Sequence, residues 1–473
     1  MLTSAPRPGA LLPEPASGPF PLTVVDPATG TVVGEVAGVG PDAAARAAAA
    51  AARAFPGWAA RPAADRAAAL RAIAAGLRES TEELAALTTA ETGKRLEESR
   101  AEVGFSAGFF DWFAEAAVTA EAGADEAVAV PGRDFRVRRV PLGVVAAITP
   151  WNFPLSIPAR KIAAALAAGC TAVLKPSELT PLSAVRLVEI CHRHLPAGAL
   201  TMVTGDPVGL TAALTGDPNV ASVSFTGSTR VGRIVAGQCA ERFLPAVLEL
   251  GGRGPFVVGA EADLDAAVEA LMVAKFRNNG ASCIAANNVF VHRSRYESFV
   301  ERFAERVAAL RVGDPRDPAT GLGPVIDAGQ RDRLAALTAA AEARGARVWN
   351  GPQVPAEGFY VRPAVVECLD DDPLWSDEIF GPVAAVRPFD DEDALVEEVN
   401  GWGYGLGGYV CDVPERARAL AARLRIGIVG VNNGAPNNPR VPFGGFGASG
   451  QGREGGMAGL LEFTTYQTVS EPA

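Results

Sequence analysis

The 473-residue chain is poor in several residue types, and each shortage argues against a class of protein. It has three histidines, and His192 and His194 are two positions apart, which would point them to different faces of a helix. The sequence therefore gives little support for a metal site. Its six cysteines contain no CxxC pair. Because a chain of this length needs no disulfide staples, the cysteines favour a reducing cytoplasm.

Long apolar runs and an excess of positive charge are also missing. The stretch from Ala43 to Ala52 is only weakly apolar and is interrupted by Arg46, so we expect no membrane span. Lys and Arg number 43 against 54 Asp and Glu, and this net charge of -11 disfavours general nucleic-acid binding, which needs a basic surface. The proline- and glycine-rich start lacks a signal-peptide pattern and predicts a flexible arm over residues 1–21.

The composition of the chain, 48% hydrophobic and 21% charged, suits a large buried core. Residues 22–36 predict a hairpin, and residues 42–121 predict alanine-rich helices broken near Pro56-Gly57 and Pro62. From residue 143, short apolar runs alternate with helical stretches, a pattern typical of βαβ units and a parallel sheet. A second α/β series follows, and residues 460–469 predict a final strand.

Two stretches could bind a dinucleotide. In SFTGSTRVG a predicted strand ends in a turn that opens a helix, where Gly227 would allow close backbone approach and Ser228 could donate to a pyrophosphate. The spacing is not GxGxxG, so this string alone favours an ordinary turn. Lys175 and Glu178 follow another strand, and Glu178 could accept from a ribose 2′-hydroxyl. The alternative is a surface lysine and a helix-start glutamate.

Three further residues could act on a carbonyl group. Cys283 lies in a polar, glycine-containing stretch that could lower its pKa, although a single cysteine is more often a small buried hydrophobe. Glu249 lies in an apolar strand, where burial would raise its pKa and suit a general base; a helix cap or a core ion pair is the alternative. Asn152, between two aromatic residues, could be an oxyanion donor or a turn residue. Together with a dinucleotide site, these groups suffice for covalent oxidation of an aldehyde.

Seven motifs occur in one order along the chain: PWNFP, LKPSELTP, FTGSTRVG, LELGG, NNGASC, EIFGPV and PFGGFGASGQGREGG. With them the chain resembles the NAD(P)-dependent aldehyde dehydrogenase superfamily from about residue 22 onwards, and within it the succinate semialdehyde dehydrogenase-like members. The resemblance implies an α/β fold with a Rossmann-like parallel-sheet cofactor domain, an α/β catalytic domain and a small β oligomerisation flap. These parts would be residues 22–122 with 142–248, residues 249–448, and residues 123–141 with the tail 449–473. It also implies a homodimer or homotetramer.

The resemblance assigns roles to matching positions. Cys283 would be the nucleophile, Glu249 the base that activates the deacylating water, and Asn152 the oxyanion donor with the backbone N–H of Cys283. Lys161 and Glu454 would form a proton path near the base. The implied cofactor contacts are Thr149, Pro150, Trp151, Lys175, Ser177, Glu178, Gly227, Ser228, Leu250, Glu378 and Phe380. Glu178 favours NAD by disfavouring a 2′-phosphate, although Lys175 and Ser177 could tolerate NADP. No metal is implied.

Two arginines suggest the substrate. Arg160 and Arg277 match the carboxylate-binding arginines of succinate semialdehyde dehydrogenases, and two guanidiniums can clamp a distal carboxylate. The alternative is that either arginine pairs with a structural Asp or Glu, and Arg160 also recurs in family members that act on other substrates. The leading expectation is oxidation of an ω-semialdehyde, such as succinate semialdehyde, to an acid through a cysteine thiohemiacetal and thioester. Alternatives are a broad aliphatic or aromatic aldehyde dehydrogenase, a CoA-acylating member of the same fold, and a non-catalytic relative. The intact Cys283, Glu249 and Asn152 argue against the last, and Glu249 favours hydrolysis over transfer to CoA.

Four residues depart from the family's usual pattern. Ala281 stands where the family usually has Gln, Arg253 where it has Lys, Asn288 where it has a basic residue, and Gly447 where it has Lys. None is a catalytic position. We therefore expect them to affect the packing of the cysteine loop and the shape of the substrate funnel, and not the reaction.

Overall fold

The structure is a computed structural model that describes residues 20–122, 125–369 and 371–472. Residues 1–19 of the predicted arm and residues 123–124 of the predicted flap lie outside the described residues. The helices in chain order are α1 (Pro41–Ala59), α2 (Ala63–Glu79), α3 (Thr81–Thr92), α4 (Leu96–Ala122), α5 (Ser156–Ala167), α6 (Pro181–His192), α7 (Pro207–Gly216), α8 (Thr229–Ala240), α9 (Leu264–Phe276), α10 (Tyr296–Ala308), α11 (Ala328–Ala343), α12 (Pro373–Ser376), α13 (Glu392–Gly401), α14 (Pro414–Arg423) and α15 (Gly456–Leu461).

The strands form three larger sheets and two short pairs. In chain order they are β1 (Phe20–Val25), β2 (Val32–Gly38), β3 (Asp125–Val130), β4 (Arg133–Pro141), β5 (Val144–Ile148), β6 (Thr171–Lys175), β7 (Leu200–Met202), β8 (Val220–Thr226), β9 (Ala246–Glu249), β10 (Gly254–Val258), β11 (Ala286–His292), β12 (Arg347–Asn350), β13 (Ala364–Glu367), β14 (Val383–Phe389), β15 (Tyr404–Gly405), β16 (Gly407–Cys411), β17 (Ile428–Val431), β18 (Phe446–Gly447), β19 (Gly450–Gln451) and β20 (Thr464–Pro472).

The first large sheet has the order β19-β9-β8-β5-β6-β7, and all its neighbours run parallel except the edge strand β19. All five residues of β5 are buried, because helices cover both faces of the sheet. Val144 and Ala146 pack in one core cluster with alanines of α1, whereas Val145 and Ala147 pack in another cluster with α5. This two-sided burial explains why the strand is a continuous apolar run in the sequence.

The second large sheet has the order β12-β13-β14-β11-β10-β16-β17, with only β12 antiparallel. Its interior strand β10 is also buried on both faces: Phe256 and Val258 contribute to one core cluster and Val257 to another. The third sheet, β20-β4-β3, is antiparallel. The prediction of an α/β fold with Rossmann-like parallel sheets is therefore confirmed.

Three local predictions need correction. The helix break near Pro56-Gly57 is wrong, because α1 continues to Ala59, and the buried Trp58 donates a 3.1 Å hydrogen bond to the Leu166 carbonyl that fixes this last turn. A proline so close to a helix end removes one hydrogen bond without ending the helix. The hairpin starts at Phe20, so residues 20–21 of the predicted arm are strand. In the tail, residues 460–461 belong to α15, and the strand begins at Thr464.

Within the described ranges, no helix combines the length and the apolar character that crossing a bilayer requires.

Candidate active site

Cys283 lies on the segment between α9 and β11, in the wall of a cavity of about 260 Å³. It is the part-exposed cysteine of the chain, whereas the other five are buried. The cavity also has an aromatic and aliphatic wall and five charged side chains. The aromatic and aliphatic wall consists of Phe105, Phe109, Phe153, Ile157, Ile284 and Phe443. The charged side chains are those of Lys94, Glu98, Glu102, Arg160 and Arg277.

The pKa of the Cys283 thiol is raised, contrary to the expectation drawn from its polar surroundings in the sequence. Desolvation in the cavity wall raises the pKa to about 12, and the carboxylates of Glu249 and Glu378 act in the same direction. Arg160 opposes them by stabilising the thiolate. Arg160 is therefore the positive charge placed to favour ionisation of the Cys283 thiol.

Asn152 lies on the loop between β5 and α5 and contacts the cysteine segment directly. Its side-chain Nδ2 donates to the Ala281 carbonyl at 3.0 Å, two residues before Cys283. Its backbone carbonyl accepts from Lys94 Nζ at 2.9 Å and from Asn278 Nδ2 at 2.9 Å. One N–H of the Asn152 amide is thus occupied, and the second has no partner among the described residues.

Glu249 ends β9 with both carboxylate oxygens buried and without a hydrogen-bond partner in the described part of the chain. Burial raises its pKa well above the ordinary value, and the negative charge of Glu454 adds to this effect. Arg160 and Lys161 oppose the shift but do not cancel it. An unsatisfied carboxylate with a raised pKa is suited to take a proton from water.

Glu454 lies behind Glu249 in a buried polar cluster. Lys161 forms an ion pair with Glu454 and donates to Ser224 Oγ at 3.0 Å, and Ser224 Oγ lies 3.2 Å from Glu454 Oε1. Arg160 Nε lies 2.5 Å from Glu454 Oε2. Burial acts to raise the pKa of Glu454, but Arg160 and Lys161 outweigh it and hold this pKa below the ordinary value. The pKa values of the two buried carboxylates are therefore shifted in opposite directions: Glu454 favours the ionised form and Glu249 the protonated form.

The two arginines expected to clamp a substrate both line the cavity of Cys283, but only one is free. Arg160 is paired with Glu454, and its guanidinium lies 4.5 Å from the centre of the Phe443 ring. The Arg277 guanidinium makes no hydrogen bond and no ion pair within the described residues. The cavity therefore presents one uncompensated guanidinium instead of two.

The carboxyl ends of β5, β6, β8 and β9 meet at one edge of the first sheet. Two buried hydroxyls at this edge, Thr149 Oγ1 and Thr226 Oγ1, have no partner among the described residues. Ser228 caps α8, its Oγ accepting from Val231 N at 3.4 Å, and this helix presents its N-terminus beside Gly227. These orphaned donors and the helix terminus fit a dinucleotide.

The other predicted cofactor contacts lie along the same edge. Lys175 Nζ donates to the Pro176 carbonyl at 3.0 Å and lies 3.7 Å from Glu178 Oε2, with Glu178 about one-third exposed at 34%. Ser177 Oγ accepts from Leu179 N at 3.2 Å. Pro150 is part-exposed and Leu250 is buried. Trp151 and Phe380 meet edge to face, with ring centroids 5.6 Å apart.

Glu378 reaches the same cleft from the second sheet. It accepts from Gly252 N at 3.3 Å, and burial raises its pKa to about 7. Asn287, which sequence reasoning missed, holds both neighbours of Glu378: its Nδ2 donates to the Asp377 carbonyl at 2.9 Å and its Oδ1 accepts from Ile379 N at 2.8 Å. No local sequence pattern marks this bridge, because its two ends are about ninety residues apart.

Sequence reasoning also missed the buried ion pair of Lys94 and Glu102. Glu102 Oε1 accepts from the backbone N–H groups of Leu155 and Ser156, each at 3.0 Å, and so supports the Asn152 loop from below. Lys94 also lies over the Phe153 ring, 4.3 Å from its centre. The pair therefore supports the Asn152 loop through the backbone, a role that residue type alone does not reveal.

Three of the departures from the family pattern have structural reasons. Arg253 Nη2 and Asn288 Nδ2 donate to the same carbonyl, that of Trp375, at 2.5 and 2.7 Å, so the two substitutions meet at one acceptor. Gly447 has φ +58°, and a Cβ there would lie 2.3 Å from the Gly403 carbonyl oxygen. This backbone has no room for a lysine side chain. Nothing in the structure explains the replacement at Ala281.

Comparison with known proteins gives a consistent result. The chain matches the aldehyde dehydrogenase family over residues 15–469. It is 39% identical to the glutarate-semialdehyde dehydrogenase of Pseudomonas putida over 93% of this chain and 92% of that protein. It is also 39% identical to the NADP(+) succinate-semialdehyde dehydrogenase GabD of Escherichia coli, again over 93% of this chain and 92% of the relative.

A solved structure extends the match to the fold. The crystal structure of betaine aldehyde dehydrogenase from Staphylococcus aureus in complex with NAD+ superposes with a TM-score of 0.91 at 32% identity, covering 95% of this chain and 90% of that one. The sequence and the fold thus agree on one family. The chain belongs to the aldehyde dehydrogenase family and is an NAD(P)-dependent oxidoreductase that acts on aldehydes.

Proposed function

We propose that this enzyme oxidises an aldehyde carrying a carboxylate at its far end, such as succinate or glutarate semialdehyde, to the dicarboxylate. The observation that supports this substrate class is the uncompensated charge of Arg277 in the cavity of Cys283. Every other charged side chain of the cavity wall is paired: Lys94 with Glu102, Glu98 with Arg95, and Arg160 with Glu454.

A substrate carboxylate would supply the missing partner of Arg277. A half-buried guanidinium without a counter-charge loses part of its hydration, and a bound carboxylate can compensate by accepting two of its N–H groups. The semialdehyde names of the two relatives fit the same chemistry. Arg160 then contributes positive potential near the sulfur while its Nε stays on Glu454.

The substrate assignment predicts a selective loss in the Arg277→Gln variant. We expect kcat/KM for succinate semialdehyde to fall by about 30- to 1,000-fold, equivalent to about 2–4 kcal/mol, because a charge-assisted contact is removed. The value for hexanal should change by less than about threefold, since no carboxylate is involved. Arg277→Lys, which keeps the charge, should recover part of the loss.

Steady-state kinetics with succinate semialdehyde, hexanal and benzaldehyde measure this directly. Equal losses for all three aldehydes in Arg277→Gln would mean that Arg277 shapes the cavity instead of binding a carboxylate. Equal kcat/KM values for the three in the unmodified enzyme would reject an ω-carboxylated substrate altogether.

In the proposed mechanism, the Cys283 thiol first loses its proton to solvent, a step that the nearby charge of Arg160 favours. The Sγ thiolate then bonds to the carbonyl carbon while the C=O electron pair moves onto oxygen, which gives the thiohemiacetal oxyanion. The free N–H of Asn152 and the backbone N–H of Cys283 stabilise the oxygen as it gains charge. NAD(P), when bound along the sheet edge, supplies the hydride acceptor. Glu249 takes a proton from a water molecule, whose oxygen displaces Sγ from the resulting thioester and releases the acid. Lys161 and Glu454 would then relay that proton away from Glu249.

We propose NAD as the preferred cofactor on the strength of Glu178. Lys175, the nearest positive charge, already lies 3.7 Å from this carboxylate, so a 2′-phosphate would meet a neutralised pair instead of a free cation. For Glu178→Gln we expect the ratio of kcat/KM for NAD to that for NADP to fall by roughly 10- to 100-fold, because the repulsion of a 2′-phosphate is lost and the charged ribose acceptor becomes a weaker, neutral one. Kinetics with the two cofactors test this, and an unchanged ratio would remove Glu178 from the choice.

We propose a homodimer or homotetramer in which the three-stranded sheet, with residues 123–141 and 449–473, serves as the contact. Supporting this, Val128, Val130, Tyr466 and Val469 of that sheet are exposed apolar residues, which commonly mark an interface.

We also propose a cytoplasmic location, which suits six cysteines that are all free thiols. Residues 22–122 with 142–248 and residues 249–448 remain our proposed cofactor and catalytic domains.

A further inference from the structure

Three consecutive residues just before the cysteine segment have a left-handed backbone. Asn278, Asn279 and Gly280 have φ values of +55°, +56° and +77°. Only glycine adopts this conformation without cost, although asparagine tolerates it better than most residues. Gly280 is required by space as well, because a Cβ there would lie 2.3 Å from the Gly381 carbonyl oxygen. A run of left-handed residues persists only where its surroundings hold it, and such runs are found at functional sites.

The side chain of Asn279 anchors this turn to two other segments of the chain, neither of which carries Asn152 or Cys283. Its Nδ2 donates to the carbonyls of Gly93 and Pro324 at 3.0 and 2.8 Å, and its Oδ1 accepts from Gly323 N at 2.8 Å. The Asn278 backbone N–H also lies 3.3 Å from both carboxylate oxygens of Glu98. These contacts stabilise the turn without touching Asn152 or Cys283.

The side chain of Asn278 has a different set of partners. Its Nδ2 donates to the Asn152 carbonyl at 2.9 Å and to the Ala281 carbonyl at 2.8 Å. The Ala281 carbonyl also accepts from Asn152 Nδ2 at 3.0 Å. One buried nitrogen therefore joins the loop of the oxyanion donor to the segment of the nucleophile, and the left-handed backbone is what aims it there.

We propose that Asn278 is a positioning residue for the reaction, which sets the Asn152 amide beside Cys283 by bridging the two loops. The inference rests on the proposed roles of Asn152 and Cys283. Oxyanion stabilisation depends on donors held in place before the charge develops, and a displacement of about 1 Å can cost about 100-fold in rate. A purely structural role, in which Asn278 only satisfies two buried carbonyls, would affect stability and leave the rate alone.

The test compares Asn278→Gly with the matched control Asn279→Gly. Glycine keeps the left-handed backbone at either position, so each variant removes one amide and leaves the turn. We expect Asn278→Gly to slow the pre-steady-state burst of NADH about 10- to 100-fold, with the Kd for NADH unchanged. Both variants lose buried hydrogen bonds, so Asn279→Gly should lower Tm by about as much as Asn278→Gly does. It should nevertheless slow the burst by less than about threefold. An equal slowing in both variants, or an unchanged burst in Asn278→Gly, would overturn the proposal.

A second variant and a double mutant complete the test. Asn278→Asp is isosteric and tolerates the turn, but an ionised carboxylate cannot donate and a protonated one can donate to only one of the two carbonyls, so it should slow the burst, and a normal burst would contradict the proposal. If Asn278 acts through Asn152, the double variant Asn152→Ala/Asn278→Gly should be no slower than Asn152→Ala alone, whereas additive losses would overturn the link. An unchanged burst in Asn152→Ala alone would instead reject the proposed oxyanion donor, a failure distinct from that of Asn278.

Discussion

Replacing Cys283 with alanine is expected to lower kcat for aldehyde oxidation by about 10⁶-fold, the loss that follows removal of a covalent nucleophile. The reason is local, since Cys283 is the cysteine whose side chain lines the charged cavity. Binding of NADH should remain within about twofold of that of the unmodified enzyme, because the sheet-edge groups are untouched. Steady-state NADH formation and NADH fluorescence titration measure the two quantities.

The matched control for this variant is Cys239→Ala. Cys239 is buried in α8, outside the cavity of Cys283, so its replacement should cost some stability and leave kcat within about twofold. A Cys283→Ala enzyme that still turned over at the unmodified rate would show that the nucleophile lies elsewhere. Loss of NADH binding in Cys283→Ala would indicate a disturbed fold instead of a missing nucleophile.

Those features that depend on a short stretch of chain could be predicted from the sequence. The strands of the first sheet read as short apolar runs because helices bury both of their faces, as β5 shows with all five residues buried. The raised pKa of Glu249 followed from a carboxylate in such a strand, and the structure places both its oxygens out of contact with any described donor. In each case burial decides the outcome, and the apolar residues next to the position in the sequence indicate that burial.

Features that depend on distant partners could not be predicted. The sequence left open whether Arg160 binds a substrate or pairs with a structural carboxylate, and its partner proves to be Glu454, 294 positions along the chain and 2.5 Å from its Nε. The polar neighbours of Cys283 in the sequence allowed either a low thiol pKa or an ordinary buried cysteine, and the surrounding cavity wall raises the pKa. The NNG string of residues 278–280 is a turn signal in the sequence, but the direction of the Asn278 amide depends on two carbonyls, one of them from another loop.

The variant Glu249→Gln is expected to separate the two halves of the reaction. Hydride removal does not need the base, so a burst of about one NADH per active site should persist at the unmodified rate. Hydrolysis of the thioester does need it, and steady-state kcat should fall by roughly 10²- to 10⁴-fold. Glutamine keeps the shape of a side chain whose oxygens have no described partner, so the loss reports chemistry and not packing. The acyl group retained on Cys283 should be visible by mass spectrometry.

Hydrolysis of the thioester should also depend on pH, through the ionisation of Glu249. Burial and Glu454 raise the pKa of Glu249, so the base is protonated below that raised pKa and kcat should increase as pH rises through it. Glu249→Gln should remove this dependence.

Glu91→Gln is the matched control, because burial raises the pKa of Glu91 to about 7 as well. The Glu91 carboxylate accepts from the backbone of Leu182 and Ser183 outside the cavity, so its loss should leave kcat unchanged. An unaltered steady-state rate in Glu249→Gln would reject the base, and recovery of turnover by added CoA would assign the acyl group to a thiol acceptor instead of water.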